Sequence, residues 1–152
     1  MKQDNTDTHT LKMFRETTME LDRLYSAFAR SCGLSDPEFW SLLLIYEGYE
    51  TQSQISEQLS LSRQTLNSAF KQLIKKGFVR LIPYEHNQRT KQAVLTESGE
   101  KYVEEHILTL HQMEEQAWRQ MTSEERRMLV ESSRKFTNLL KNIRDNEKNK
   151  DN

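Results

Sequence analysis

Only six of the 152 residues, four glycines and two prolines, break helices on intrinsic grounds. Between them apolar residues recur at spacings of three and four, the period of a helix with one buried face. Such a chain folds at least cost as a series of long helices, and its length suits one domain with its own core. Its apolar share of 35% and charged share of 30% leave that core small. The longest apolar run, Leu42 to Tyr46, is far short of a membrane span, so no membrane partner is expected. The opening Met1 to Asp7 lacks the apolar segment of a secretory signal. A lone cysteine, Cys32, allows no internal disulfide and predicts a reducing, cytoplasmic setting.

Punctuation residues divide the chain. Residues 1–9 are polar and aperiodic and read as a flexible arm. Leu11, Phe14, Leu21, Leu24, Tyr25 and Phe28 mark a first helix over about 10–31, closed by Cys32-Gly33-Leu34. Ser35-Asp36-Pro37-Glu38 is a capping box with proline in the first turn. The helix it opens, Phe39 to about Glu47, is apolar almost all round and predicted central. Gly48 closes it. Thr51 to Gln54 is a second box before a short helix carrying Ile55 and Leu59. A tight turn at Leu61-Ser62 leads into a helix capped by Ser62 and ended near Lys76 by Gly77. Phe78 to Ile82 and Ala93 to Leu95 read as short strands around a polar loop, Pro83 to Lys91. Thr96 caps one long helix to about Met121 through Val103, Ile107, Leu110 and Ala117. Thr122 to Glu125 boxes a last amphipathic helix through Phe136, Leu139, Leu140 and Ile143. Residues 147–152 form a charged tail. The expected fold class is mainly α with a small β-hairpin wing: a winged helix-turn-helix over about 36–95, its helix-turn-helix at 51–76, flanked by helices at 10–31 and 97–146.

Charge is uneven along this order. The whole chain carries −1, yet Ser62 to Lys91 holds seven basic residues against one acid, Glu85. A solvated charge run is the plain reading of that fact alone; an anionic partner for this island is the functional one. Helical projection separates them. On Ser62–Lys76, Leu66, Ala69, Phe70, Leu73 and Ile74 share one face, which must be the core side. Gln64, Ser68, Lys71 and Lys75 lie opposite, with Thr65 and Asn67 on the flanks and Ser62 and Arg63 at the helix start as further candidate DNA contacts. This outer face offers amides, hydroxyls and cations but no carboxylate, the inventory that reads base edges and holds phosphates. The second helix of a helix-turn-helix enters the major groove. The hairpin adds Arg89 and Lys91, and an arginine beside a recognition helix can enter the narrow minor groove. The expected partner is double-stranded DNA.

At these residues the sequence resembles a known family. Leu59 to Leu66, Leu73-Ile74-Lys75-Lys76-Gly77-Phe78-Val79, Asn87-Gln88-Arg89, and Val94-Leu95-Thr96-Glu97-Ser98-Gly99 are similar to the multiple-antibiotic-resistance repressor (MarR) family, and the likeness runs over nearly the whole chain. The wing departs from it: the family commonly has Asp two residues before the arginine, where this chain has Asn87, so a charge pairing is replaced by an amide. The resemblance implies a homodimer built by the first and last two helices, reading a pseudo-palindromic operator as a transcriptional repressor. The sequence adds its own argument, because three amphipathic helices flank a motif too small to cover their apolar stripes.

The resemblance also implies places for sensing. Small aromatic or phenolic effectors bind family members between the dimer helices and the DNA-binding lobe; Tyr25, Trp40, Tyr46, Tyr49 and Trp118 are the candidate lining, and each serves equally as core. Some members sense peroxide through one cysteine, making Cys32 a redox alternative if its pKa is depressed. A zinc-sensing branch directs attention to Cys32, His106 and His111, but histidines five apart lie about 140° apart on a helix and cannot share a metal. His9 and His86 add no ligand set, so no metal is expected. No Gly-rich phosphate loop, nucleophile elbow or acid–base pair is present, so neither a catalytic residue nor a cofactor is expected. The remaining alternative is a winged-helix protein-interaction module without DNA binding, which exposed aromatics on Ser62–Lys76 would mark.

Overall fold

A computed structural model of the chain describes residues 4–84 and 87–148. Helix α1 (Asp4–Ser31) is followed by α2 (Asp36–Tyr46), α3 (Gln52–Leu59), α4 (Arg63–Lys75), the strands β1 (Val79–Tyr84) and β2 (Asn87–Leu95), α5 (Glu97–Tyr102), a π-helical turn Val103–Ile107, α6 (Leu108–Gln120) and α7 (Ser123–Lys148). The β-strands form one antiparallel ribbon. This is the mainly helical, single-wing fold that breaker scarcity and periodicity predict.

Helix α2 is the centre of the first unit, which ends at Leu110. Phe39, Leu42, Leu43, Leu44 and Ile45 are all buried, because α1, α3, α4, β2 and the π-helical turn each pack on it. Its start carries both bonds of the expected box: the Ser35 N–H donates to Glu38 Oε2 at 2.8 Å, and the Glu38 N–H donates to Ser35 Oγ. Leu66, Phe70 and Leu73 of α4 and Val103 and Ile107 complete the same core.

Glu38 is buried, and its second oxygen accepts from Lys76 Nζ at 2.7 Å. One carboxylate thus joins the start of α2 to the end of α4. Burial alone would push the Glu38 carboxyl up; the Lys76 ammonium and the bonds from Ser35 reverse that and hold it below its ordinary value. A folded-state pKa below the unfolded one contributes stability that is present above the unfolded value, about 4.3. That stability is lost as pH falls through the folded value. Lys76→Met is therefore expected to cost about 1–3 kcal/mol at neutral pH and to shrink the acid-side loss of stability. Urea titrations from pH 7 down to 3 check it. Parallel wild-type and variant profiles would remove the ion pair from the account.

Several boundaries differ from expectation. Helix α1 begins at Asp4 rather than Thr10, so residues 4–9 are not an arm; acidic residues are favourable beside the positive end of the helix dipole. Helix α7 reaches Lys148, past the expected start of the tail. The expected single helix from Thr96 to Met121 contains the π-helical turn at Val103–Ile107. Side-chain period carries no signal for one extra residue per turn. The turn between α3 and α4 pivots on Ser60, in the left-handed region at φ 53°, and not on Leu61-Ser62. The Leu61 N–H donates to the Ser56 carbonyl and Ser56 Oγ to the Leu61 carbonyl, closing that turn without glycine. Ile74, expected in the core, is 43% exposed.

The chain falls into two compact units. A second unit starts at His111, and none of its described residues is buried. Most of α6 and all of α7 thus lack a core of their own.

Candidate nucleic-acid interface

Helix α4 is held by chemistry local to its own sequence. Ser62 Oγ accepts from the Thr65 N–H at 3.0 Å, and the two hydroxyls lie 2.8 Å apart. Gly77, at φ +77°, ends the helix where a side chain would be strained. Its inner face buries Leu66, Ala69, Phe70 and Leu73, and its outer face leaves Arg63, Gln64, Thr65, Asn67, Ser68, Lys71 and Lys75 exposed. Ser62 and Thr65 are thus cap residues first. Ser68 Oγ donates to the Gln64 carbonyl at 3.1 Å.

The wing is longer than expected. The pairs Val79↔Leu95 through Pro83↔Lys91 continue the ladder into the stretch read as loop, because strand pairing uses backbone groups and is indifferent to polar side chains on an exposed ribbon. Tyr84 then pairs with Asn87, so Gln88, Arg89 and Thr90 form a bulge opposite the Pro83–Tyr84 step. Proline suits that place, since it has no N–H to give. Arg89 therefore projects from a bulged strand and not from a loop tip. The tip residues Glu85 and His86, with the side chain of Asn87, lie outside the described residues. The wing is tied back to the helices: the Ala93 N–H donates to the Glu50 carbonyl at 2.7 Å, Thr51 pairs with Gln92, and Tyr84 Oη donates to Glu50 Oε2 at 2.5 Å.

Between α3, α4 and β2 lies a cleft of about 380 Å³ lined by Gln52, Arg63, Asn67, Arg89, Thr90 and Lys91 among others. Four of the sequence-predicted residues, Arg63, Asn67, Arg89 and Lys91, come together here. Gln64, Thr65 and Ser68 line a separate groove with Pro37 and Gln72. Gln52 and Thr51 were missed as site residues; the capping box at Thr51 was their only sequence signal, and it speaks of helix geometry alone. The cleft is a concave surface with three cations and two amides, suited to a polyanion that also offers hydrogen-bonding edges.

Within the first unit, Trp40 does not share a groove with Tyr46 and Tyr49. Tyr25 and Trp40 rings stand 5.4 Å apart, and Trp40 lines an apolar groove with Leu44, Leu59 and Leu61. Tyr46 and Tyr49 line a different groove with Val94 and Glu100. Trp118 belongs to the second unit. Burial pushes the Cys32 thiol up, opposite to what an activated cysteine needs. Its Sγ lies 3.9 Å from the His106 carbonyl, not the ring, while the His106 ring packs on Tyr102 and His111 Nδ1 lies 3.2 Å from Glu114. Among the described residues no cluster has the make-up of a metal site, and no helix is long and apolar enough to cross a membrane.

Residues 42–80 match the family model described as winged helix-turn-helix DNA-binding. The matched span covers α3, its turn and α4. That span of this chain is thus similar to a winged helix-turn-helix DNA-binding family. Over most of its length the chain shares its fold with several solved structures. The S. aureus MepR–DNA complex superposes with a TM-score of 0.70 at 21% identity, covering 86% of this chain and 97% of that one. The transcriptional regulator BldR from Sulfolobus solfataricus gives 0.68 at 16% identity, covering 91% and 99%. The PcaV transcriptional regulator from Streptomyces coelicolor, in complex with its natural ligand, gives 0.64 at 13% identity, covering 80% and 89%. No curated protein matches the chain significantly in sequence.

Proposed function

We propose that this protein is a homodimeric, sequence-specific transcriptional regulator, a repressor released by a small aromatic or phenolic molecule. One observation carries the reading: the exposed face of α4 has cations and amides and no carboxylate, and it opens on a cleft whose far wall is the basic wing. Lys71 and Lys75 contact phosphates, Gln64 and Asn67 read bases in the major groove, and Arg89 enters the minor groove. Phe70, the one aromatic on α4, is buried, which is not how a protein-docking helix would carry it. The MepR–DNA and ligand-bound PcaV structures support the DNA and effector parts of the reading by likeness of fold.

Two-fold symmetry places two recognition helices on half-sites about one helical turn apart, roughly 34–36 Å. A gel shift on the promoter region of the protein's own gene, at several salt concentrations, tests the proposal. Binding that is insensitive to salt, or equal on every duplex, would contradict it. Arg89→Ala is expected to weaken operator binding by about tenfold, near 1.4 kcal/mol, with helix content and dimerisation unchanged. Lys71→Ala should weaken binding on all duplexes alike and flatten the salt slope by about one unit. A Lys71 variant that changes base preference would overturn this sorting of contacts.

A further inference from the structure

In the cleft beside the wing one side-chain contact joins α3 to the outer face of α4. Gln52 Nε2 lies 3.5 Å from Asn67 Oδ1. Gln52 is the first residue of α3, half-buried and firmly placed. Thr51 caps that helix through the Gln54 N–H, Gln54 Oε1 accepts from the N–H groups of Glu50 and Thr51, and the Glu50–Thr51 segment is bonded to β2. Asn67, by contrast, is an exposed side chain on the second turn of α4. A free asparagine amide presents its oxygen and nitrogen interchangeably, and a base edge can then be read in either sense.

We infer that Gln52 is a positioning residue for Asn67, its donated N–H fixing which end of the Asn67 amide carries the acceptor. This rests on the DNA-reading role proposed above. Asn67 then keeps one lone pair on Oδ1 and both Nδ2 hydrogens in a set orientation, the complement of the adenine edge with its N6 donor and N7 acceptor. Discrimination at that base pair comes from two helices acting together, and the wing reaches it through the Glu50–Thr51 anchor.

The test is selection from a duplex library with a randomised central segment, using the full-length protein and its variants, and reading base preference rather than affinity. Asn67→Ala identifies the base pair that Asn67 reads. At that pair, Gln52→Ala is expected to reduce discrimination by about three- to tenfold, within the range of one amide–base contact. Gln52→Glu, which offers no donor, should lose or invert the preference. Gln52→Lys, which keeps a donor, should retain it. In the background of Asn67→Ala, the Gln52 variants should have no further effect at that position, since coupled residues are not additive. Unchanged preference in both Gln52→Ala and Gln52→Glu, or no position dependent on Asn67, overturns the inference. Failure of the wild-type protein to enrich any sequence would instead overturn the DNA-reading role itself.

Discussion

Replacing Gly99 by alanine is expected to destabilise the first unit by about 3 kcal/mol or more, among the largest effects of any single methyl group in this protein. A Cβ at Gly99 would stand 2.0 Å from the Phe78 carbonyl oxygen and 2.9 Å from its carbon. Both are backbone atoms, so no rotamer change relieves the overlap. The approach is tight because the first turn of α5 is bonded to the chain leaving α4. The Thr96 N–H donates to the Phe78 carbonyl at 3.0 Å, Thr96 Oγ1 donates to the Gly77 carbonyl at 2.5 Å, and the Gly99 N–H donates to Thr96 Oγ1 at 3.0 Å. Tyr102, one turn on, stacks its ring on Phe78 at 4.3 Å. Displacing Phe78 moves the residue between α4 and β1, so under the proposed function the variant should lose DNA affinity along with stability. Urea denaturation followed by circular dichroism reads the first effect and a gel shift the second. The neighbouring exposed substitution Glu100→Ala is the control, expected within about 0.5 kcal/mol of wild type. A Gly99→Ala midpoint equal to that control would show that the contact yields without cost.

The Gly99 contact explains why the Leu-Thr-x-x-Gly piece was legible as a motif before any geometry was known. Thr96 caps α5 and bonds the Gly77–Phe78 link that leaves α4, and glycine three residues on permits the approach that those bonds require. The caps at Ser35, Thr51 and Ser62 were legible for the same reason, since each satisfies donors that every helix start leaves open. Legibility failed where backbone geometry is set from outside the local sequence. Ser60 takes a left-handed conformation because the Leu61 N–H and carbonyl are both engaged by Ser56, and no glycine announces it. The strands run on through polar residues because the ladder needs only amides. The π-helical turn is set by packing of Val103 and Ile107 into the core. In the candidate interface, the outer face of α4 followed directly from helical period. The role of Gln52 did not, because its partner lies fifteen residues away on another helix.

Removing the chain from Phe136 onward is expected to abolish the proposed dimer, and with it tight DNA binding. In α1, Leu11, Phe14 and Leu21 are 43%, 44% and 50% exposed; in α7, Leu139, Leu140 and Ile143 are 50%, 52% and 56% exposed. Exposed leucines scattered singly require no explanation, but here each helix repeats them on one stripe. Leaving such stripes in water forfeits about 25 cal/mol for every Å², and patches beyond a few hundred Å² are rare on monomers. Leu11, Phe14 and Leu21 take no part in the core of the first unit, which is complete around α2. A second copy offers the same stripes by two-fold symmetry, which resolves both at once. The shortened chain should therefore sediment as a monomer or an aggregate and bind operator weakly, because each half-site alone supplies a fraction of the total energy. Aggregation alone would not identify the interface, so Leu140→Glu in the full-length chain is the companion variant. It places a charge on an exposed position, and it should give a folded monomer with intact helix content. Sedimentation and a gel shift on both variants decide the matter: a well-folded monomer with full operator affinity would refute the dimer requirement, and an undisturbed Leu140→Glu dimer would move the interface elsewhere.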